Sequence, residues 1–130
     1  MKIMVCYDGS RSSREALRLA RDHAKAYNGS IIVVTSMLKG TESEKEDIER
    51  AELDLEFEKK ACLDEGIDCA THLLIRGLSS GEDLVQFAEE EMVDEIIIGI
   101  RRRSKVEKLV FGPTAQFVIL KAHCPVVTVK

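Results

Sequence analysis

The feature that most constrains the fold of this chain is a regular alternation of short apolar runs with amphipathic segments. The apolar runs contain few polar residues, as do strands that are buried on both faces of a sheet, and the segments between them have helical spacing. The pattern predicts the order β-α-β-α-β-α-β-α-β, with strands at residues 2–7, 30–36, 68–75, 94–98 and 126–129. Such an order is typical of a single doubly wound α/β domain, here residues 1–130, with a parallel sheet and helices on both faces.

Charge and hydropathy exclude several classes of protein. The net charge of −4 argues against electrostatic binding to nucleic acid, and the apolar runs are too short to span a membrane. Met1-Lys2 leads directly into an apolar strand, so no signal peptide is visible and we expect a cytoplasmic protein. The four cysteines form no C-x-x-C pair and are expected to be reduced thiols of the core.

Local signals predict where the helices begin and which face they bury. Ser12 with Glu15 and Ser79 with Glu82 have the spacing of capping boxes, and Asn28-Gly29 is a helix stop. The expected buried faces comprise Ile48, Ala51, Leu55 and Cys62 with Leu53 and Phe57 beside them, then Leu84, Val85, Ala88 and Met92, and finally Phe111, Ala115, Val118, Ile119 and Ala122.

Polar residues and glycines follow the predicted strands. Asp8-Gly9, Ser36, Arg76-Gly77 and Gly99 all come where a strand ends, and ligands of such folds bind at the carboxyl ends of the strands. After Gly99 come a basic loop and then Gly112 at the start of a helix; the cations of the loop are Arg101, Arg102, Arg103 and Lys105. Glycines allow close approach of backbone to ligand, and a helix N-terminus offers N–H donors to an anion. The sequence therefore suggests a nucleotide site.

These motifs resemble the universal stress protein family over essentially the whole chain. The residues that carry the resemblance are Asp8-Gly9-Ser10, Gly99, Gly112 and the ending His123 to Val129. The resemblance implies a five-stranded parallel sheet in the order 3-2-1-4-5, of the adenine nucleotide alpha hydrolase-like type. It also implies a stress-response protein that binds ATP with Mg²⁺, and a homodimer formed by antiparallel pairing of the fifth strands, here Val126 to Val129.

The family's ATP motif, G-x-x-G-(x9)-G-[S/T], is carried over unevenly. Asp8 matches the aspartate that contacts adenosine, while Gly99 and Gly112 match the first and last glycines. Arg102 replaces the middle glycine, and Pro113 stands where the hydroxyl residue is expected, with Thr114 one place further on. Proline lacks an N–H donor, but the four cations of the loop 101–105 could hold phosphate by their side chains. The alternative is a solvated loop whose cations balance the acidic surface.

Three functions stay open at this point. The leading hypothesis is a non-catalytic module that binds an adenine nucleotide through Asp8, Gly9, Ser36, the glycines and Thr114, together with the arginines of the loop. The alternative is a nucleotide-free universal stress protein that acts as a dimeric protein-interaction module, which Arg102 and Pro113 favour. The third is an enzyme such as a slow ATPase, for which there is neither a P-loop nor an arguable catalytic triad.

Overall fold

The structure, a computed structural model, describes residues 1–38, 44–100 and 112–130, with the side chains of α2 described from residue 45 onward. Nine elements alternate along these ranges, and their bounds are β1 Lys2–Cys6, α1 Arg11–Tyr27, β2 Ser30–Ser36, α2 Glu44–Asp64, β3 Cys69–Leu74, α3 Ser80–Glu90, β4 Glu95–Gly99, α4 Pro113–Lys121 and β5 Val126–Val129. The predicted order of strands and helices is confirmed.

All five strands form one parallel sheet in the order β3-β2-β1-β4-β5. The order expected from the resemblance is therefore confirmed. The direction of the strand order changes at β1, where successive connections run to opposite sides of the sheet. This change leaves a crevice at the carboxyl ends of β1, β2 and β4, where open α/β sheets bind their ligands.

Side chains of the sheet alternate between two apolar layers, because successive residues of a strand point to opposite faces. Ile3 and Val5 of β1 pack with α1 and α2 on one face. Met4 and Cys6 pack with α3 and α4 on the other face. Both layers are closed to water at β1, since Ile3, Met4 and Val5 have no exposed surface.

Two helix starts differ from the capping boxes predicted from the sequence. Helix α1 begins two residues earlier than Ser12 implies, because Ser10 is its N-cap and accepts a hydrogen bond from the Ser13 amide. Ser79 does precede α3, but its side chain makes no capping hydrogen bond. Asn28 ends α1 in the left-handed conformation, with φ 53°, as the helix stop predicted.

Four apolar side chains that the sequence assigned to buried faces are exposed, and one of them is Ile119 of α4, at 37% exposure. Met92 lies beyond the end of α3, with φ 50°, and is 78% exposed. Leu53 and Phe57 are both 72% exposed, because α2 turns Leu55 and Cys62 toward the sheet instead. Phe111 lies outside the described residues.

The cysteines have the free thiols expected from the sequence. All four cysteines are free, with Cys6 and Cys62 buried and Cys69 and Cys124 half-buried. Within the described residues, no helix has the length and the apolar character needed to cross a membrane. The same ranges hold no cluster of side chains suited to a metal ion.

Candidate functional site

A cavity of about 610 Å³ opens at the carboxyl ends of β1, β2 and β4. Its walls come from distant parts of the chain, because the start of α1, the start of α3 and the start of α4 all reach it. The residues that line it are Cys6, Tyr7, Asp8, Ser13, Val34, Ser36, Ser80, Leu84, Ile98, Gly99, Ile100, Gly112, Pro113, Thr114 and Ala115. The cavity thus has an apolar floor of strand residues and a polar rim of loop and helix residues.

Asp8 stands at the rim where β1 turns into α1. Its Oδ1 accepts a hydrogen bond of 2.9 Å from the amide of Ser10, which is the Asx-turn geometry expected of an aspartate before a helix. Gly9 turns the chain with φ 81°, and its carbonyl accepts a hydrogen bond of 2.7 Å from Arg14 Nη1. This turn sets the carboxylate beside the cavity while Gly9 itself lies outside the lining.

Gly99 at the end of β4 is required by packing inside the protein. A Cβ atom built on Gly99 would lie 2.4 Å from the carbonyl carbon of Ser12 and 2.6 Å from its oxygen. The first turn of α1 therefore rests directly on this glycine. The sequence motif suggested that Gly99 allows close approach of a ligand, whereas the atoms nearest to it belong to a helix of the same chain.

The start of α4 also lines the cavity. Gly112 is the N-cap and Pro113 the first helical residue, a position that suits proline because its missing N–H has no partner within the helix. The first hydrogen bond of the helix runs from the Gln116 amide to the Gly112 carbonyl, at 3.0 Å. The amides of Thr114 and Ala115 precede that bond, so they belong to the first-turn donors that an α-helix leaves unpaired.

A buried carboxylate that the sequence analysis did not single out lies behind the cavity. Asp83 has no exposed surface. Its Oδ2 accepts a hydrogen bond of 2.9 Å from the hydroxyl of Ser36, and its Oδ1 accepts one of 2.5 Å from Arg76 Nε. One signal was available in the sequence: Asp83 lies four residues before Phe87, so the two share a helix face, and Phe87 is buried.

Arg76 joins this carboxylate to the surface. Its Nη1 contacts both oxygens of Glu90, at 3.0 and 3.2 Å, and its Nη2 donates to the carbonyl of Asp83 at 3.1 Å. Desolvation acts to lower the pKa of Arg76, but the bonds to the two carboxylates outweigh it and raise the pKa above its ordinary value. The pKa of Glu90 is lowered by hydrogen bonds from Gln86 and Arg76. Arg76, which the sequence placed at the end of a strand, is therefore a structural cation.

Neutral groups form the inner end of the cavity. Burial, followed by the nearby charge of Asp8, raises the pKa of the Cys6 thiol to about 12. Burial and the charge of Glu58 raise the pKa of Tyr7 to about 12, and the Tyr7 hydroxyl donates to Glu58 Oε1 at 3.3 Å. Both side chains are therefore uncharged near neutral pH.

The structure brings together five of the site residues expected from the sequence. Asp8, Ser36, Gly99, Gly112 and Thr114 all line the cavity, although they come from four separate parts of the chain. Gly9 lies next to the cavity in the turn after β1. Arg101, Arg102 and Arg103 lie outside the described residues.

Comparison with known proteins agrees with this architecture. The model of the universal stress protein family matches residues 1–130. The chain belongs to the universal stress protein family. Its curated relatives include Universal stress protein MJ0531 from Methanocaldococcus jannaschii, 32% identical over an alignment that covers 99% of this chain and 81% of the relative.

Solved structures of universal stress proteins also match. One from Archaeoglobus fulgidus superimposes with a TM-score of 0.87 at 37% identity, covering 100% of this chain and 93% of that one. A structure of a universal stress protein from the same organism in complex with dAMP has a TM-score of 0.84 at 35% identity, with coverage of 100% and 98%. The family and its fold are therefore shown for this chain.

Proposed function

We propose that this universal stress protein binds an adenine nucleotide, ATP with Mg²⁺, in the cavity at the carboxyl ends of its strands. In this proposal it acts in the cytoplasm as a nucleotide-responsive module of a stress response and has no catalysis of its own. The observation that carries the proposal is the cavity itself, in which Asp8, Ser36, Gly99, Gly112 and Thr114 converge. Its volume of about 610 Å³ lies within the range of about 300–1,000 Å³ that is usual for small-molecule sites.

The charges around the helix starts support one orientation of the nucleotide. Helix α3 carries Glu82 and Asp83 in its first turn, so its positive end is already balanced, whereas the first turn of α4 contains no acidic residue. An anion is stabilised where the helix dipole is not already neutralised. The phosphates would therefore lie toward Gly112 and Thr114, and the nucleoside toward Asp8 and Ser36.

The phosphates would need donors beyond the first turn of α4, because Pro113 supplies no amide hydrogen. The sequence places Arg101, Arg102 and Arg103 between Gly99 and Gly112, and charge-assisted bonds from guanidinium groups are strong contacts to phosphate. We therefore assign phosphate contact to these arginines as part of the proposal. The ligand of the Archaeoglobus fulgidus relative, dAMP, supports an adenine nucleotide.

A homodimer through β5 is the second part of the proposal. This strand lies at the edge of the sheet, and three of its four residues are β-branched valines, Val126, Val127 and Val129. An apolar edge strand with unpaired backbone groups is a template for pairing with another chain. The partner would be the same strand of a second copy, in antiparallel orientation.

Thermal unfolding in the presence of Mg²⁺ and increasing ATP tests the nucleotide proposal. A ligand that binds only the folded state stabilises it by about 2.7 kcal/mol at one hundred times its dissociation constant, so Tm should rise with ATP concentration. GTP at the same concentrations is the control for non-specific anion effects. If ATP leaves Tm unchanged and denatured protein releases no nucleotide, the nucleotide-free interaction module becomes the favoured function.

Turnover distinguishes the remaining alternative. If every independent preparation of the protein released phosphate from ATP with Mg²⁺ well above the uncatalysed rate, the enzyme hypothesis would replace the non-catalytic one. We expect phosphate release to stay at background.

A further inference from the structure

The hydroxyl hydrogens of the serines around the cavity are directed into the protein. Ser36 donates to Asp83 Oδ2 at 2.9 Å, and Ser13 donates to the carbonyl of Ser10 at 2.9 Å. Ser80 donates to the carbonyl of Ser36 through a weaker contact of 3.5 Å. A hydroxyl has one hydrogen and two lone pairs, so each of these oxygens can offer only lone pairs to a ligand.

Among these serines, Ser36 has the hydroxyl whose direction is fixed most firmly. Its acceptor, Asp83, is fully buried, and Arg76 holds the other carboxylate oxygen through its Nε. An ionised carboxylate cannot donate a hydrogen bond, so the bond between Ser36 and Asp83 has a single direction. If the hydroxyl turned toward the cavity, a buried carboxylate oxygen would lose its partner, which is costly.

We propose that Asp83 fixes the hydroxyl of Ser36 as a hydrogen-bond acceptor and thereby selects ligands that present an N–H group to this end of the cavity. The proposal rests on the proposed function, in which the nucleoside lies toward Asp8 and Ser36. The chemical class it favours is a nucleobase with an exocyclic amino group, and it disfavours one with a carbonyl oxygen at the same position. Asp83 is a specificity-determining residue that acts through Ser36.

An Asp83→Asn variant should turn the Ser36 hydroxyl from a hydrogen-bond acceptor into a hydrogen-bond donor toward the cavity. Arg76 Nε can only donate, so the amide oxygen of the new side chain must face Arg76 and its NH₂ group must face Ser36. That NH₂ group donates to the Ser36 oxygen, and the hydroxyl hydrogen then points toward the cavity. The same position would now prefer a carbonyl oxygen on the ligand.

Titration calorimetry with AMP, IMP and purine riboside monophosphate tests this inference, because the three carry the same phosphate and differ in the base. Purine riboside monophosphate lacks the amino group and adds no carbonyl. In the wild type, AMP should bind about fivefold to tenfold more tightly than purine riboside monophosphate, which corresponds to one hydrogen bond. Ser36→Ala should make the two equal, and Asp83→Asn should raise the affinity for IMP relative to AMP by a similar factor.

Glu90→Gln is the matched control, since it also replaces a carboxylate held by Arg76 with an amide but does not contact Ser36. Glu90→Gln should keep the wild-type ratios of affinity among the three nucleotides. Far-ultraviolet circular dichroism should show that each variant is folded. If AMP and purine riboside monophosphate bind equally to the wild type, or if Asp83→Asn keeps the wild-type ratio of IMP to AMP, the inference is wrong while nucleotide binding stands. If none of the three binds, the inference is wrong, and the proposed function falls with it when ATP with Mg²⁺ does not bind either.

Discussion

Gly99 at the end of β4 supports the first turn of α1 through the backbone of Ser12, with only 2.4 Å between a Cβ atom built on the glycine and the carbonyl carbon of Ser12. A backbone neighbour at this distance cannot move without shifting the helix. Gly112 lines the same cavity, but a Cβ atom there would meet nothing within 4 Å among the residues that the structure describes. Two glycines of one sequence motif therefore have different structural roles.

Gly99→Ala should lower the free energy of unfolding by about 1–3 kcal/mol, the usual cost of forcing an extra carbon into a packed site. Gly112→Ser should leave it unchanged or slightly higher, because serine is a better N-cap than glycine and φ −62° suits it. Urea unfolding of both variants measures the difference. Equal stability of Gly99→Ala and wild type would show that α1 does not rest on Gly99.

Removing Arg76 should be far more harmful than removing its surface partner. Arg76→Ala leaves the fully buried Asp83 without its cation, and breaking a buried pair in this way costs about 3–5 kcal/mol. Glu90→Gln affects only an exposed contact, for which about 0–1 kcal/mol is usual. Urea unfolding at neutral pH compares the two variants. A loss for Arg76→Ala no larger than that for Glu90→Gln would contradict a structural role for the buried pair.

Two exposed glutamates should make the free energy of unfolding depend on pH in the acidic range, below the ordinary pKa of glutamate. Hydrogen bonding from Lys25 lowers the pKa of Glu65, and bonding from Gln86 and Arg76 lowers that of Glu90, each from an ordinary value of 4.5. A carboxylate with a lowered folded-state pKa contributes stability above its unfolded pKa and loses it as pH falls through the folded value. Stability should therefore fall as the pH drops below about 4.5.

The double variant Glu65→Gln with Glu90→Gln should lose less stability than wild type between neutral pH and this acidic range, as measured by urea unfolding. The matched control replaces Glu46 and Glu52, which are exposed on α2 and make no ion pair with the part of the chain that the structure describes. The control should follow the wild-type curve. If the free energy of unfolding depends on pH in the same way in both double variants, Glu65 and Glu90 are not the cause of the loss of stability in acid.

The proposed dimer depends on the outward backbone groups of β5. The carbonyls of Pro125 and Val129 accept hydrogen bonds from Ile96 of β4 and from Ile100, the residue after β4. The alternation of the ladder therefore directs the amide of Thr128 toward the open edge. Thr128→Pro should remove that donor and give a monomer, because proline cannot add to a ladder, whereas Thr128→Ser should stay dimeric. Light scattering at micromolar concentration measures both. A monomeric wild type would exclude the dimer.

The strands and their order could be predicted because each strand is a short apolar run closed by a turn residue, and because alternation with helices leaves few topologies. The residues of the cavity wall could be predicted for a related reason, since parallel strands end at one edge. The first residue of α1 could not, because Ser10 and Ser12 both suit a cap and only the turn at Asp8 decides between them.

The buried network was missed for a different reason. An aspartate in the first turn of a helix is usually a solvated partner of the helix dipole, and nothing in the spacing of Asp83 reveals that Arg76 and Ser36 converge on it. The exposure of Leu53 and Phe57 was missed for another reason. The spacing of apolar residues predicts which of them share a helix face, but it does not predict how much of that face the neighbouring sheet covers.

Titration calorimetry of ATP with Mg²⁺ into protein freed of bound ligand by unfolding and refolding is the sharpest test of nucleotide binding in this cavity. We expect micromolar binding to the wild type and about tenfold weaker binding to Asp8→Ala, which loses one charge-assisted hydrogen bond. Asp8→Asn should have an intermediate affinity, because it keeps an oxygen for the Ser10 amide. The absence of any heat of binding to the refolded wild type, or equal affinities in all three proteins, would contradict this proposal.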